Sequence, residues 1–168
     1  RIEALTEGAE QPSLELAGPR QQLFFDPSKV KAAVVNCGGI CPGLNDVTRS
    51  LVNELAHYGA PEVIGIKYGY WGMVPENGHT ALTLTPSIVR NIHFYGGSFL
   101  GSSRGPQSVD DMLDFLAARN INVLFTVGGD GTQRGALAVS KGARERGLDL
   151  VVVGIPKTID NDLAFTER

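Results

Sequence analysis

Two apolar runs set the frame of this chain. Val123 to Val127 and Leu150 to Ile155 are rich in β-branched residues, and an amphipathic helical pattern lies between them. Runs of that length and composition read as parallel strands, buried on both faces and joined by a crossover helix. Each ends in a cluster of glycine or proline with acids. Gly128-Gly129-Asp130-Gly131-Thr132 follows the first, and Lys157-Thr158-Ile159-Asp160-Asn161-Asp162 follows the second. Ligands of open α/β sheets sit beyond the carboxyl ends of the strands, so the two clusters are expected to face one crevice.

The residue types in that crevice point to phosphate chemistry. Glycines around Asp130 let backbone approach a ligand closely, and the start of the next helix offers unpaired N–H groups that suit phosphate. Asp130 would be repelled by the same phosphate unless a cation stood between them. A hard oxygen ligand beside a phosphate cradle suggests Mg²⁺. Across the crevice, Asp160 and Asp162 with the Thr158 hydroxyl supply a carboxylate able to take a proton from a substrate alcohol. Taken singly, a Gly-Gly-Asp-Gly is a turn and either acid a solvated loop residue or a helix cap. Their placement directly after two parallel strands is what joins them into a phosphoryl-transfer hypothesis.

Composition removes other classes. The 168 residues suit one domain with a real core, 42% being hydrophobic and 20% charged. A net charge of -3 leaves no basic footprint for nucleic acid. No apolar run approaches the length of a transmembrane helix, so no membrane partner is expected. The start, Arg1-Ile2-Glu3-Ala4, has neither initiator Met nor signal-peptide pattern, and a cytoplasmic chain trimmed at its N-terminus is expected. Cys37 and Cys41 lack the further ligands of a structural zinc site, and in that setting free thiols are expected.

Residues 1–30 should form an extended arm, with a short strand at Leu23-Phe24-Phe25 ended by Asp26-Pro27-Ser28. Val30 to Asn36 is the first core strand and runs into Cys37-Gly38-Gly39-Ile40-Cys41-Pro42-Gly43-Leu44-Asn45. Asn45 or Asp46 is the expected N-cap of a helix that Gly59 stops. That strand, glycine turn and helix outline a phosphate site, though by pattern neither a Rossmann fingerprint nor a Walker loop. Glu62 to Lys67 is a second strand, and the aromatic loop Tyr68 to Met73 either stacks on a base or covers the core. A short helix opens at Thr85-Pro86-Ser87 and runs through Ile92. In the glycine-dense stretch Gly96 to Pro106, Arg104 could reach phosphate oxygens in bidentate fashion or stand free on a surface loop. Val109 to Ala118 reads as a helix with Met112, Leu113, Phe115 and Leu116 inward.

Four blocks in this order resemble the 6-phosphofructokinase family: residues 37–45, Gly-Gly-Ser-Phe-Leu-Gly-Ser-Ser-Arg-Gly at 96–105, Gly-Gly-Asp-Gly-Thr at 128–132, and Pro-Lys-Thr-Ile-Asp-Asn-Asp at 156–162. The likeness spans Lys31 to Leu163, and the approach from Pro19-Arg20 to Phe25 is similar to the plant and trypanosomatid ATP-dependent type. The resemblance implies a three-layer α/β sandwich with a mostly parallel, Rossmann-like sheet. Residues 31–168 would be its donor-binding part, truncated at the C-terminus, where 163–168 depart from the family's usual continuation. It also implies Mg·ATP as donor, fructose 6-phosphate as acceptor in glycolysis, and a homo-oligomer. Gly38, Tyr70, Arg104, Gly105, Gly129, Asp130, Gly131, Thr132 and Lys157 would meet the donor, with Asp130 on Mg²⁺. Asp160 would be the base toward the sugar's 1-hydroxyl, Thr158 and Arg104 would act on the transferring phosphoryl group, and Asp162 would assist.

Pyrophosphate-dependent members share Lys157 but carry Asp in place of Gly131, where a carboxylate would repel an ATP α-phosphate. ATP is therefore the expected donor, with pyrophosphate the alternative. A catalytically silent nucleotide-binding regulatory module is a further reading. A lipid- or NAD-kinase-like enzyme would share the Gly-Gly-Asp-Gly-Thr loop but not the 156–162 block, and a purely structural interaction domain would be indifferent to Asp130→Asn.

Overall fold

The structure is a computed structural model and describes residues 18, 21–78 and 81–162. Most of the expected arm, the Pro19-Arg20 approach and residues 163–168 lie outside the described residues. Five strands form one sheet: β1 (Lys31–Asn36), β2 (Glu62–Ile66), β3 (Leu82–Thr83), β4 (Val123–Gly128) and β5 (Val151–Pro156), in the order β3-β2-β1-β4-β5. All pairings are parallel except β2 with β3, a two-residue antiparallel edge that the sequence pattern did not reveal. The helices are α1 (Leu44–His57), α2 (Pro86–Val89), α3 (Val109–Ala118) and α4 (Asp130–Glu145).

Strand pleat divides the core into two layers. On β1, Ala33 and Val35 join Leu124 of β4 beneath Met112, Leu113 and Leu116 of α3 and Val139 of α4. Ala32 and Val34 face the other way, with Val52 of α1, Val89 of α2, Ile92 and Leu100. Each fully buried side chain of this size contributes about 1.5–3 kcal/mol, and the two layers make the expected α/β sandwich.

Local chemistry starts and stops the helices. Ser108 caps α3 by accepting from the Asp111 amide, and Asp110 and Asp111 in the first turn complement the dipole. Arg146, just past α4, donates to Asp114 at 2.6 Å and also to Asp110, tying the two helices together.

Several expectations change. Phe24 and Phe25 form a bend and Leu23 has no regular structure, so the expected strand is absent there. Phe25 packs into the second core layer, and Asp26 caps the 3₁₀ turn Pro27–Lys29. α1 begins on Gly43, left-handed at φ 90°, so neither Asn45 nor Asp46 caps it. The helix expected from Thr85 to Ile92 ends at Val89, and a 3₁₀ turn at Ile92–Phe94 follows. The aromatic loop winds as a 3₁₀ helix at Gly69–Met73 behind a left-handed Tyr68.

Candidate functional site

The chain leaves β1 through α1 toward β2, while β4 lies on the other side of β1. The gap beyond β1 and β4 is therefore the topological switch point of the sheet. A cavity of about 580 Å³ opens there. Gly38, Tyr70, Arg104, Gly105, Gly129, Asp130, Gly131, Thr132 and Lys157 all line it. Thr158, Asp160 and Asp162 do not; they follow β5 on the same sheet edge, Thr158 half-buried and the two acids exposed, as Arg104, Gly105, Asp130 and Gly131 of the lining also are.

The loop after β4 is shaped by close packing. A Cβ on Gly128 would lie 2.2 Å from Thr132 Oγ1 and 2.8 Å from the Cys37 carbonyl, so no other residue fits. From Gly129 the chain turns directly into α4, with no side chain capping its start. The first bond of the helix runs from the Gln133 amide to the Gly129 carbonyl, which leaves amides 130–132 without an intrahelical acceptor. Those amides and the positive end of the dipole favour an anion. Gly131 is exposed, and a Cβ there would meet no atom within 4 Å.

The 96–106 loop reaches the cavity by hydrogen bonding. The Gly38 amide donates to Ser103 O at 2.9 Å, and Ser102 Oγ donates to Gly38 O at 2.5 Å. Deeper in, Asn36 Nδ2 donates to Ser98 Oγ at 3.0 Å, and Ser98 Oγ donates to Gly101 O at 3.0 Å. Asn45 is buried and works as a latch. Its Nδ2 donates to the carbonyls of Ile92 (3.1 Å) and Tyr95 (2.9 Å), and its Oδ1 accepts from the Phe99 amide (2.7 Å).

Two cations converge on this frame. A Cβ on Gly39 would stand 3.4 Å from Arg104 Nη2 and 3.9 Å from Lys157 Nζ. Neither cation has a hydrogen bond or ion pair among the described residues, an arrangement suited to an anionic ligand. Tyr70 forms the opposite wall. Its hydroxyl donates to Thr132 O at 2.8 Å, and its ring lies so close to α4 that a Cβ on Gly135 would be 2.6 Å away. Burial raises the Tyr70 phenol and pushes the Cys37 thiol up to about 12, so both wall groups stay neutral at ordinary pH. Val109, Met112 and Ala138 add apolar surface.

Sequence reasoning missed Gly39, Arg134, Gly135 and Ala138 as lining residues. Gly131, Arg134, Gly135 and Ala138 recur at helical spacing, the signal that could have placed them on one face. Past β5, Thr158 Oγ1 donates to Asp162 Oδ1 at 2.7 Å and accepts from the Asp162 amide at 3.3 Å. Asp160 is exposed and has no such partner among the described residues. Both cysteines are free, Cys37 buried and Cys41 half-buried. Among the described residues no group of three or more His, Cys, Asp or Glu is placed to hold a metal, and Asp130 is the one carboxylate in the cavity lining.

Fold and site together define a doubly wound α/β domain with a glycine-lined, cation-bearing crevice at its switch point. Residues 31–168 match the Phosphofructokinase family, and the chain belongs to that family. It is 55% identical over 157 residues to an ATP-dependent 6-phosphofructokinase of Trypanoplasma borreli, covering 93% of this chain and 32% of that protein. The Trypanosoma cruzi protein of the same name is 54% identical, covering 92% of this chain and 32% of the relative. A chloroplastic ATP-dependent 6-phosphofructokinase 5 of Arabidopsis thaliana is 47% identical over 90% of this chain and 28% of its own length. The chain thus spans about a third of the length of the curated relatives it matches. Among solved structures, the Pichia pastoris phosphofructokinase in the T-state aligns with a TM-score of 0.72 at 25% identity, covering 95% of this chain and 18% of that one. A pyrophosphate-dependent phosphofructokinase from Marinobacter aquaeolei aligns at 0.74 and 23% identity, over 82% and 36%, a likeness of fold.

Proposed function

We infer that this chain supplies the phosphoryl-donor side of an ATP-dependent 6-phosphofructokinase. The reaction transfers the ATP γ-phosphoryl group to the 1-hydroxyl of fructose 6-phosphate, giving ADP and fructose 1,6-bisphosphate in glycolysis. The observation that carries this reading is the cavity at the switch point, where free helix amides, Arg104 and Lys157 converge and Gly131 leaves open space. Relatives named as ATP-dependent enzymes support the same donor.

In this reading the amides of residues 130–132 cradle the donor phosphates, Gly38 lines their approach with its amide held by Ser103 O, and Tyr70 and the apolar wall receive the rest of the nucleotide. Arg104 and Lys157 offset the charge that develops as the bond to the leaving phosphate breaks. A lone carboxylate beside a phosphate cradle suits Mg²⁺, and Asp130 would be its protein ligand. When bound, the ion would offset negative charge on the donor phosphates. Asp160 takes the proton of the sugar hydroxyl, whose oxygen attacks the γ-phosphorus as the β,γ-bridging oxygen leaves with ADP. Thr158 orients the transferring group and Asp162 holds Thr158. Residues 31–168 are the donor part of the enzyme, which works as a cytoplasmic homo-oligomer.

Pyrophosphate as donor is the second reading, favoured by Lys157 beside Arg104 over Gly39. Titration of the chain with Mg·ATP and separately with Mg·pyrophosphate, followed by an assay with fructose 6-phosphate, tests both. Tighter ATP binding is expected. Preference for pyrophosphate would overturn the role given to Gly131, and binding of neither would overturn the donor site.

A further inference from the structure

The loops assigned to donor and acceptor leave neighbouring strands, and transfer requires them to hold one register. Gly128 pairs with Pro156 at the end of the β4–β5 ladder, and the Lys157 amide donates to Gly128 O at 3.0 Å. The N–H that Pro156 lacks would point away from β4, since Val151 and Lys157 belong to the alternate residues of β5 that donate to it, and the Lys157 bond is the last of the ladder before the two loops diverge. A side chain reinforces this end. Gln133, in the first turn of α4, sends Nε2 to Gly128 O at 2.9 Å and to Ile155 O at 3.2 Å. Both partners are carbonyls, so the group facing them must be the NH₂ end of the amide. The packing is matched to that amide: a Cβ on Gly154 would lie 2.1 Å from Gln133 Oε1, so the strand has glycine where the side chain crosses it. Gln133 does not line the cavity.

We propose that Gln133 is a positioning residue, a staple that holds the donor loop at 129–132 and the acceptor loop at 157–162 in register for transfer. This rests on the phosphotransfer reading above. One amide binds the last carbonyl of β4 and a carbonyl two residues before Lys157, while its backbone belongs to the helix whose N-terminus faces the donor. A shift of the donor loop is therefore passed to Lys157, Thr158 and Asp160 through two hydrogen bonds. Gln133→Met keeps the length and loses the donor. Gln133→Glu presents a carboxylate to two carbonyls and regains one donor only when protonated.

The test is carried out on the full chain with these two variants. Hydrogen exchange without ligand is expected to quicken on the order of tenfold at residues 157–162 in Gln133→Met, with α3 unchanged. In turnover with Mg·ATP and fructose 6-phosphate, kcat is expected to fall by roughly ten- to a hundredfold while KM for ATP moves by less than about threefold. Activity of Gln133→Glu relative to wild type should rise as pH falls toward the carboxyl range. Unchanged exchange at 157–162, or equal losses in kcat, KM and global stability with no pH-dependent recovery, would overturn the staple. If the wild-type chain binds neither Mg·ATP nor Mg·pyrophosphate, the phosphotransfer reading fails, and the ligand-free exchange still decides whether Gln133 sets the register.

Discussion

The segment after β4 and the segment after β5 come from the same kind of sequence and end in different surroundings. Gly128 is walled in by Thr132 and the Cys37 carbonyl, and the loop beyond it faces a cavity closed on one side by Tyr70 and on another by the 96–106 loop. Beyond β5, Asp160 and Asp162 are exposed, and among the described residues the Thr158 side chain is hydrogen-bonded only with Asp162. β5 itself shares the contrast. Val153 is 37% exposed although it sits in an apolar parallel strand, a class normally covered on both faces. The donor recognition proposed above rests on backbone amides and glycines within a short span. The proposed acceptor site is built from carboxylates and depends on what surrounds them, and the described residues supply little of it.

The sharpest way to separate the two segments is to disable one chemically and read the other. Asp160→Asn removes the proposed base without touching the cavity lining. Transfer to fructose 6-phosphate should fall by about 10²–10⁴-fold, with Mg·ATP affinity within about threefold of wild type in a calorimetric titration. Loss of ATP binding in this variant would mean that the two segments are not independent.

Gly131→Asp attacks the other segment. Space for the side chain is open, so the fold should persist, but a carboxylate at the helix start meets the phosphate that the amides attract. Mg·ATP binding is expected to weaken on the order of a hundredfold, about 2.7 kcal/mol, with the thermal midpoint nearly unchanged. Equal ATP affinity in the variant would place the nucleotide elsewhere.

Asn45 tests how much of the enclosed side depends on its frame. Asn45→Ala leaves two carbonyls and one amide without their partner, each loss costing about 1–3 kcal/mol where the group is buried. Urea unfolding should report a loss of about 3 kcal/mol, and Arg104 should become more mobile with its loop. A loss below about 0.5 kcal/mol would show that water replaces the latch.

These particulars also show what could be read from sequence. The strands and helix faces were legible because β-branched runs and the period of Met112, Leu113, Phe115 and Leu116 are local signals, and the glycine loops because glycine has few other reasons to cluster. The burial of that helix face follows the pattern. Asn45 was misread as a cap, since its partners lie 47, 50 and 54 residues away and no periodicity reports a hydrogen bond across that separation. Gln133 escaped for the same reason, with one of its two partners 22 residues away on another strand. The edge strand β3 was missed because two residues carry no pattern. At Leu23-Phe24-Phe25 the aromatic run suggested a strand, but Phe25 packs into the core from a bend while Phe24 stands 88% exposed.

The smallest expected effect concerns the thiols, which sample the two surroundings within one loop. Cys37 lines the cavity at 6% exposure, and burial pushes its thiol up from an ordinary 9.0 to about 12, while Cys41 is half-buried. Below about pH 9 the Cys37 thiol is protonated in folded and unfolded chains alike, and its contribution to stability is fully present. Between about 9 and 12 the unfolded chain gives up the proton that the folded chain keeps, so stability is lost as pH rises, by about 1.4 kcal/mol per unit at most. Cys37→Ala should flatten the fall in unfolding free energy over that interval, with Tyr70 retaining a similar slope at higher pH. At pH 8 an aromatic disulfide reagent should label one thiol of the native chain quickly and the second only on unfolding. Two equally fast thiols would mean that the wall between Gly38 and Tyr70 opens freely, and the contrast between the cavity-lining loop after β4 and the open segment after β5 would then be one of degree.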